Sequence, residues 1–529
     1  MSQRTVGQAL VAALEARGVD TVFGIPGVHT IELYRGLAGS GIRHVTPRHE
    51  QGAGFMADGY ARVSRKPGVC FVITGPGLTN VVTAMAQARA DSVPMLVITG
   101  VNPVETHGRE DGHLHELPDQ LGLIRQIALH AETLRRPGDV ADTVARAFDA
   151  MSRGRPGPVA IEVPIDVMAM PAEAETGIPV ADQHQVPDPS VIAEAARTLS
   201  GADRPLIVAG GGAVDADGPL RAVAEALNAP VVTTANGRGL MGGHSLRVPA
   251  SPSLPAIRAA LSDADAVLAV GTQMGPTDWD MYGDGDLPRL THLVRIEIDA
   301  AQMERNFRAD TPIEGDASDT LTALLPLLAR RGADGAARAD ALRRAALVDV
   351  SPNYRPICEM LAMLYARWPD ALVVGDSTQP VYAGNLYVDA PRPGSWFNSS
   401  GGFGTLGYGA PAAIGAKRAA PDRPVICLTG DGGLQFSLSE LGTAMDETAP
   451  VVFVVWNNRG YGEIETYLRR AGLPPIGVRP SPPDFDASAE AYGLQAERIE
   501  DMADLPDAVA RALASGAPAL VDLVVPRGG

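Results

Sequence analysis

The sequence predicts an α/β protein of three doubly wound parallel-sheet domains, and three observations carry that prediction. Short β-branched runs alternate with longer Ala/Leu-rich segments of helical length along almost all of the 529 residues. The runs are apolar throughout rather than alternating, as strands covered on both faces by crossover helices must be. Two seams of different composition divide the chain into three stretches, each long enough to bury a core of its own.

In chain order, Val6, Leu10, Ala13 and Leu14 form the stripe of an amphipathic helix that Gly18 is placed to end. No unbroken apolar run with a cleavage site stands here, so no export signal is expected. Strands are predicted at 69–74 (VCFVIT), 95–99 (MLVIT) and 159–163 (VAIEV), in a first domain spanning 1–170. Residues 171–190 hold four prolines and no apolar periodicity, the marks of a linker. The runs at 205–210, 266–271 and 293–298 belong to a central domain, 190–330. The Ala/Arg/Asp-rich stretch 331–353 reads as a surface helix and connector. Strands at 371–375, 425–429 (VICLT) and 451–456 (VVFVVW) then open a third domain, 354–529.

Composition narrows the function. With 44 Lys and Arg against 62 Asp and Glu, the net charge of −18 opposes general nucleic-acid binding. Cys70, Cys358 and Cys427 are too few and too scattered for a disulfide framework or a CxxC metal site, and they fit a cytoplasmic protein. No apolar stretch has the roughly 18 residues that a membrane span needs.

The sharpest motif lies in the third domain. VICLT runs into Gly430-Asp431-Gly432-Gly433 and a helical segment in which Ser437 and Glu440 are spaced as a capping box. VVFVVW ends in Asn457-Asn458-Arg459-Gly460. Asp431 and Asn458 therefore stand at the C-terminal ends of two strands, where open α/β sheets bind ligands. A carboxylate, an amide oxygen and a nearby backbone carbonyl are hard donors suited to Mg²⁺ with diphosphate oxygens completing its shell. Gly432 and Gly433 let backbone N–H groups approach phosphate at a helix start.

With this pair the chain resembles the thiamine-diphosphate enzymes that act on 2-oxo acids. The resemblance extends to Arg48-His49-Glu50-Gln51-Gly52-Ala53-Gly54-Phe55-Met56-Ala57-Asp58-Gly59-Tyr60-Ala61-Arg62, similar to the family's pyrimidine-binding helix. It also covers Thr74-Gly75-Pro76-Gly77-Leu78-Thr79-Asn80 and Phe403-Gly404-Thr405-Leu406-Gly407-Tyr408-Gly409. The resemblance implies that Glu50 hydrogen-bonds the pyrimidine ring and that Leu406 bends the cofactor. It implies Mg²⁺ ligation by Asp431, Asn458 and the Gly460 carbonyl, and diphosphate contact by Thr378 and Gln379. Gly75, Gly404, Gly430, Gly432, Gly433, Tyr461 and Gly462 are expected to line the same cofactor. It further implies a homodimer or homotetramer in which Glu50 of one subunit faces the Asp431 site of another.

These residue types suit the chemistry. Thiamine must lose a weakly acidic carbon proton near neutral pH. A partly desolvated carboxyl beside the pyrimidine can share a proton with the ring and favour its imino tautomer, and the bent cofactor aims that nitrogen at the C–H. The ylide attacks the 2-oxo group, CO₂ leaves, and an enamine remains; the cofactor carries the hard step. Protonation gives an aldehyde decarboxylase, whereas attack on a second oxo compound gives a carboligase of the acetolactate type.

Two departures weaken the acetohydroxyacid synthase resemblance and argue against FAD. Gly271-Thr272-Gln273-Met274-Gly275-Pro276-Thr277-Asp278 lacks the synthases' Arg-bearing flavin pattern, and Arg459-Gly460-Tyr461-Gly462-Glu463-Ile464 is not theirs either. The glycine cluster Gly210-Gly211-Gly212 is too incomplete to assign a nucleotide. The chain is more similar to bacterial 5-guanidino-2-oxopentanoate decarboxylases through Phe23–Ala38, Leu114–Gln120 and Gly375–Asn385. That implies loss of CO₂ from 2-oxoarginine to give 4-guanidinobutanal. A guanidinium tail needs a carboxylate. Glu463 is expected to supply it, with Asp376, Glu116 or Glu465 as substitutes. His115 is expected to donate a proton to the reacting carbon, His29 being a second candidate; His113, His115 and Glu116 lack the further ligand that a metal cluster needs. The rival class is a catalytically silent paralogue, against which the intact Glu50, Asp431 and Asn458 set speaks.

Overall fold

The computed structural model describes residues 4–172, 187–279, 287–330 and 334–526. Its first sheet holds β1 (Thr21–Gly24), β2 (Arg43–Val45), β3 (Gly68–Val72), β4 (Met95–Val101), β5 (His130–Thr133) and β6 (Pro158–Pro164). The second holds β7 (Pro205–Ala209), β8 (Val231–Thr233), β9 (Arg247–Val248), β10 (Ala266–Val270), β11 (Leu293–Glu297) and β12 (Thr311–Glu314). The third holds β13 (Leu372–Gly375), β14 (Trp396–Asn398), β15 (Val425–Gly430), β16 (Val451–Asn457), β17 (Gln495–Ile499) and β18 (Ala519–Val524). The orders are β2-β1-β3-β4-β6-β5, β12-β11-β10-β7-β8-β9 and β14-β13-β15-β16-β18-β17. Neighbouring strands pair in parallel, for example Val425↔Val451 and Phe23↔Cys70. The three-sheet α/β prediction therefore holds.

The first and third sheets have the same strand order, a repeat of topology that leaves no trace in sequence spacing. In both, the direction of winding reverses beside the first strand, between β1 and β3 and between β13 and β15. The crevice outside the carboxyl ends there is where such sheets take ligands. Every predicted strand meets an observed one within two residues. The N-terminal helix Val6–Ala16 buries Val6, Leu10, Ala13 and Leu14, and Gly18 follows at φ +80°. The connector reading is met by a helix, Gly335–Asp349. Of the 171–190 linker, residues 173–186 lie outside the described residues.

The helices Glu50–Ser64 and Gly409–Ala419 lock the first and third domains together. A Cβ on Gly59 would lie 2.0 Å from the Ala412 carbonyl oxygen, and one on Gly415 only 1.9 Å from that of Met56. The two backbones touch where each helix has no side chain, and buried Phe55 and Tyr408 pack edge-on beside the crossing. Gly59→Val is therefore expected to lower stability by about 3 kcal/mol or more, through overpacking that backbone cannot relieve. A melting temperature equal to the parent's would show the crossing to be slack.

The capping box expected from Ser437 and Glu440 does not form. The helix begins at Glu440 itself, its N-cap Ser439 makes no side-chain bond, and Ser437 Oγ is buried without a partner. Glu440 reaches across the domain boundary instead: its carboxylate accepts the Arg48 N–H at 3.0 Å and the His49 N–H at 3.2 Å, immediately before Glu50. Burial holds its carboxyl above the ordinary range. The spacing was right for a local cap, but two orphan N–H groups of another helix won the carboxylate. Among the described residues no helix is long and apolar enough to cross a membrane.

Candidate active site

Loops after β13, β15 and β16 build the site in the third domain. Gly430 ends β15, and Asp431 opens a helix of only five residues, Asp431–Gln435. The Asp431 side chain is 2% exposed, and its Oδ2 has no hydrogen-bond partner. Burial pushes its carboxyl up to about 6, against the opposing N–H groups of Gly460 and Gly432. One end of the Asn458 amide lies 2.6 Å from the Gly460 carbonyl oxygen and 3.2 Å from Asp431 Oδ1. With nitrogen there, the amide donates to both. With oxygen there, three oxygens converge, and a cation must offset their repulsion. An orphaned carboxylate oxygen beside an amide and a carbonyl fits a hard divalent ion. Gly460 is held at φ +146°, and a Cβ on it would meet the Val478 carbonyl oxygen at 2.5 Å, so only glycine turns that carbonyl inward.

The surrounding glycines are spaces that neighbours occupy. A Cβ on Gly432 would strike the Tyr461 ring at 2.5 Å, one on Gly462 the Asn458 amide at 2.7 Å, and one on Gly430 would crowd Thr378 Oγ1 at 3.1 Å. Tyr461, Gly462 and Thr378 are thus brought against the Asp431 loop. Asp376 is fully buried at the end of β13. It accepts the Ser377 N–H on Oδ1 and the Gly407 and Gly409 N–H groups on Oδ2, which pins the loop carrying half-buried Leu406. Burial raises its carboxyl to about 6. Asp376 is therefore a brace inside the sheet, which corrects its place among the substitute guanidinium acceptors.

The Gln379 side chain is oriented at both ends: its Oε1 accepts Trp456 Nε1–H at 2.9 Å, and its Nε2 donates to Glu463 Oε1 at 3.1 Å, which leaves one amide hydrogen free for a further acceptor. Glu463 stands on the first turn of the helix Gly462–Arg470, half-buried, and also accepts the Tyr354 hydroxyl at 2.9 Å. The other substitutes are engaged: Glu465 binds Arg469 and Arg479, which hold its carboxyl down at about 2. Glu116 closes its own loop by accepting the Gly112 and His113 N–H groups.

In the first domain the corresponding strand ends carry Glu50, Gly75, His29 and His115. Glu50 opens its helix and accepts Asn80 Nδ2–H on Oε2 at 2.9 Å. Gly75 sits at φ +64°, and a Cβ there would lie 2.4 Å from the His115 carbonyl oxygen. The rings of His29 and His115 stand 5.2 Å apart, each with a buried Nδ1 that has no partner. Burial first, then His115, hold the His29 imidazole below its ordinary range. Gln120 ties this end together: it accepts Thr74 Oγ1–H and the Gly75 N–H, and donates to Gly100 O and Glu162. No hydrogen bond or ion pair among the described residues joins Glu50 to the Asp431 group. Gly404 is exposed and sits at φ +77°.

Sequence reasoning missed Glu440, Gln120, Tyr354 and Trp456. No local signal marks the roles of Gln120, Tyr354 and Trp456, whose partners lie far along the chain, and the spacing of Glu440 points to a local cap instead.

Three family models match the chain: the N-terminal TPP binding domain of thiamine pyrophosphate enzymes over residues 4–123, the central domain over 192–324 and the C-terminal TPP binding domain over 376–523. A probable 2-ketoarginine decarboxylase of Pseudomonas aeruginosa is 45% identical, over 95% of this chain and 90% of that protein. A probable acetolactate synthase large subunit of Methanocaldococcus jannaschii is 33% identical over 98% and 91%. The acetolactate synthase isozyme 3 large subunit of Escherichia coli is 31% identical over 97% and 93%.

Proposed function

The chain belongs to the thiamine pyrophosphate enzymes, and on that premise we propose that it is a decarboxylase of 5-guanidino-2-oxopentanoate, releasing 4-guanidinobutanal and CO₂. Kinship supports the decarboxylase, since the relative at 45% identity is named for the same 2-oxo acid. The observation that carries the substrate reading is Glu463: a half-buried carboxylate three residues after Gly460, whose hydrogen-bond partners among the described residues are the neutral Tyr354 and Gln379.

Bound thiamine diphosphate supplies a carbon nucleophile and a sink for the electron pair that CO₂ leaves behind. The remaining work belongs to this chain. Asp431, Asn458 and the Gly460 carbonyl would hold Mg²⁺, while Thr378 and the N–H groups of Gly430, Gly432 and Gly433 would receive the diphosphate. Tyr461 and Gly462 wall the metal turn; Gly75, Gly404 and Leu406 shape the space for the rings. Glu50 shares a proton with the pyrimidine nitrogen. His115, with His29 beside it, would hold a proton for the carbon that CO₂ leaves; release of the aldehyde then requires loss of the hydroxyl proton and cleavage of the carbon–carbon bond to the cofactor. Kinship with the family supports a homodimer or homotetramer as the working unit, with Glu50 supplied across the interface. Three buried free thiols suit the reducing cytoplasm in which we place it.

Glu463→Gln is expected to raise KM for 5-guanidino-2-oxopentanoate by about tenfold to a hundredfold, the range for losing a charged partner, and to change KM for uncharged 2-oxohexanoate by less than about twofold. Steady-state kinetics on both acids decide it, and equal effects would remove the assignment. Acetolactate as the main product from pyruvate would favour the carboligase instead.

A further inference from the structure

On one helix the chain carries two glutamates with opposite surroundings. Glu465 is already neutralised by Arg469 at 2.6 Å and Arg479 at 2.5 Å. Glu463 receives only neutral donors, and both reach the same oxygen: Tyr354 hydroxyl at 2.9 Å and Gln379 Nε2 at 3.1 Å. Oε2 has no donor among the described residues. Gln379 is itself fixed, because Trp456 Nε1 donates to its Oε1 at 2.9 Å, and Trp456 is 5% exposed within β16. Three separated stretches of chain thus hold one carboxylate in one orientation.

Two neutral donors on Oε1 fix the side chain without cancelling its charge, and they leave Oε2 as the open acceptor. The walls suit an organic cation. Tyr382 is close enough for Glu463 to add to burial in holding its hydroxyl above the ordinary range, and Tyr467, on the next turn of the Glu463 helix, is half exposed. A carboxylate with an open acceptor favours an alkylguanidinium over an uncharged chain of the same length.

We propose that Tyr354 and Gln379 are positioning residues that hold Glu463 as a one-sided acceptor for an organic cation, and so set the enzyme's preference for charge on the substrate tail. The proposal rests on the reading of Glu463 as the acceptor and adds what makes that carboxylate selective. It shares specificity between the connector before the helix Arg355–Arg367, which carries Tyr354, and the cofactor loop that carries Gln379.

The test is calorimetric binding of butylguanidinium to the enzyme loaded with thiamine diphosphate and Mg²⁺, for the parent, Tyr354→Phe, Glu463→Gln and the double variant. Tyr354→Phe keeps the ring and is expected to weaken binding about tenfold to a hundredfold, the usual worth of one hydrogen bond to a charged group. In the Glu463→Gln background the same change should do nothing, a non-additivity that a merely structural tyrosine would not show. Gln379→Met should reproduce the pattern, and in turnover each variant should raise KM for the guanidino acid more than it lowers kcat. No binding by the parent, unchanged affinity in Tyr354→Phe, or an equal loss in both backgrounds overturns the proposal. If butylguanidinium binds as expected but the guanidino acid is not decarboxylated, the substrate assignment fails and the positioning role stands.

Discussion

Replacing Glu50 by glutamine is expected to cut turnover by about a hundredfold to a thousandfold while leaving the melting temperature within a degree or two of the parent. The first figure is the usual share of a positioned acid–base group. The second follows from where Glu50 sits. Its carboxylate opens a helix, is half-buried and accepts one N–H from Asn80, which an amide oxygen can accept as well. The lost charge at the helix start is worth less than about 1 kcal/mol. The backbone before it is held by Glu440, not by Glu50, so the helix keeps its place. Rate of CO₂ release and thermal melting, measured on the same preparation, separate the two effects. Full turnover in the variant would take the central role away from this residue.

The second large effect has opposite signs for stability and for function. Asp431→Asn should abolish turnover and cofactor binding, yet stabilise the cofactor-free protein by about 1–3 kcal/mol at pH 7, the worth of keeping a buried carboxyl ionised above its raised pKa. The sign follows from the direction of the shift. Burial raises this carboxyl from 3.8 to about 6, so the folded protein holds the proton where the unfolded chain has released it. The Asp431 contribution to stability is therefore lost as pH climbs from about 4 to about 6, and the asparagine variant lacks that slope. In the parent, thiamine diphosphate with Mg²⁺ should raise the melting temperature by a few degrees, as a ligand well above its dissociation constant does, and a chelator should reverse the rise. Asp431→Asn should show neither response. A variant less stable than the apo parent would mean that the orphaned oxygen has a protein partner after all.

How far the sequence reaches can be argued from particular residues. Seven of the nine predicted strands carry no charged residue, Glu162, Arg295 and Glu297 being the exceptions, and the fold class follows from that pattern. Among the strands that were missed, β2, β8, β9 and β14 have only two or three residues. Strand β18 was hidden by Asp522 in its middle. That carboxylate is fully buried because Asn457 Nδ2 and Arg498 Nε donate to it, which no local pattern announces. At the site, Asp431, Asn458 and Gly460 were legible because motif spacing and strand ends coincide. Glu440 was misread because its spacing from Ser437 imitates a local cap. Tyr354 and Gln379 were not legible as supports for Glu463, because the three meet only through folding of distant segments.

Our proposal that the half-sites built around Glu50 and Asp431 come together from two subunits is tested most directly by co-expression of two dead variants. Glu50→Gln and Asp431→Asn chains, each inactive alone, should regain about a quarter of parental activity when they assemble at random, because half of the sites in each mixed pair then draw both intact residues. Activity that stays at the level of the separate variants, in preparations shown to contain mixed oligomers, would contradict the account.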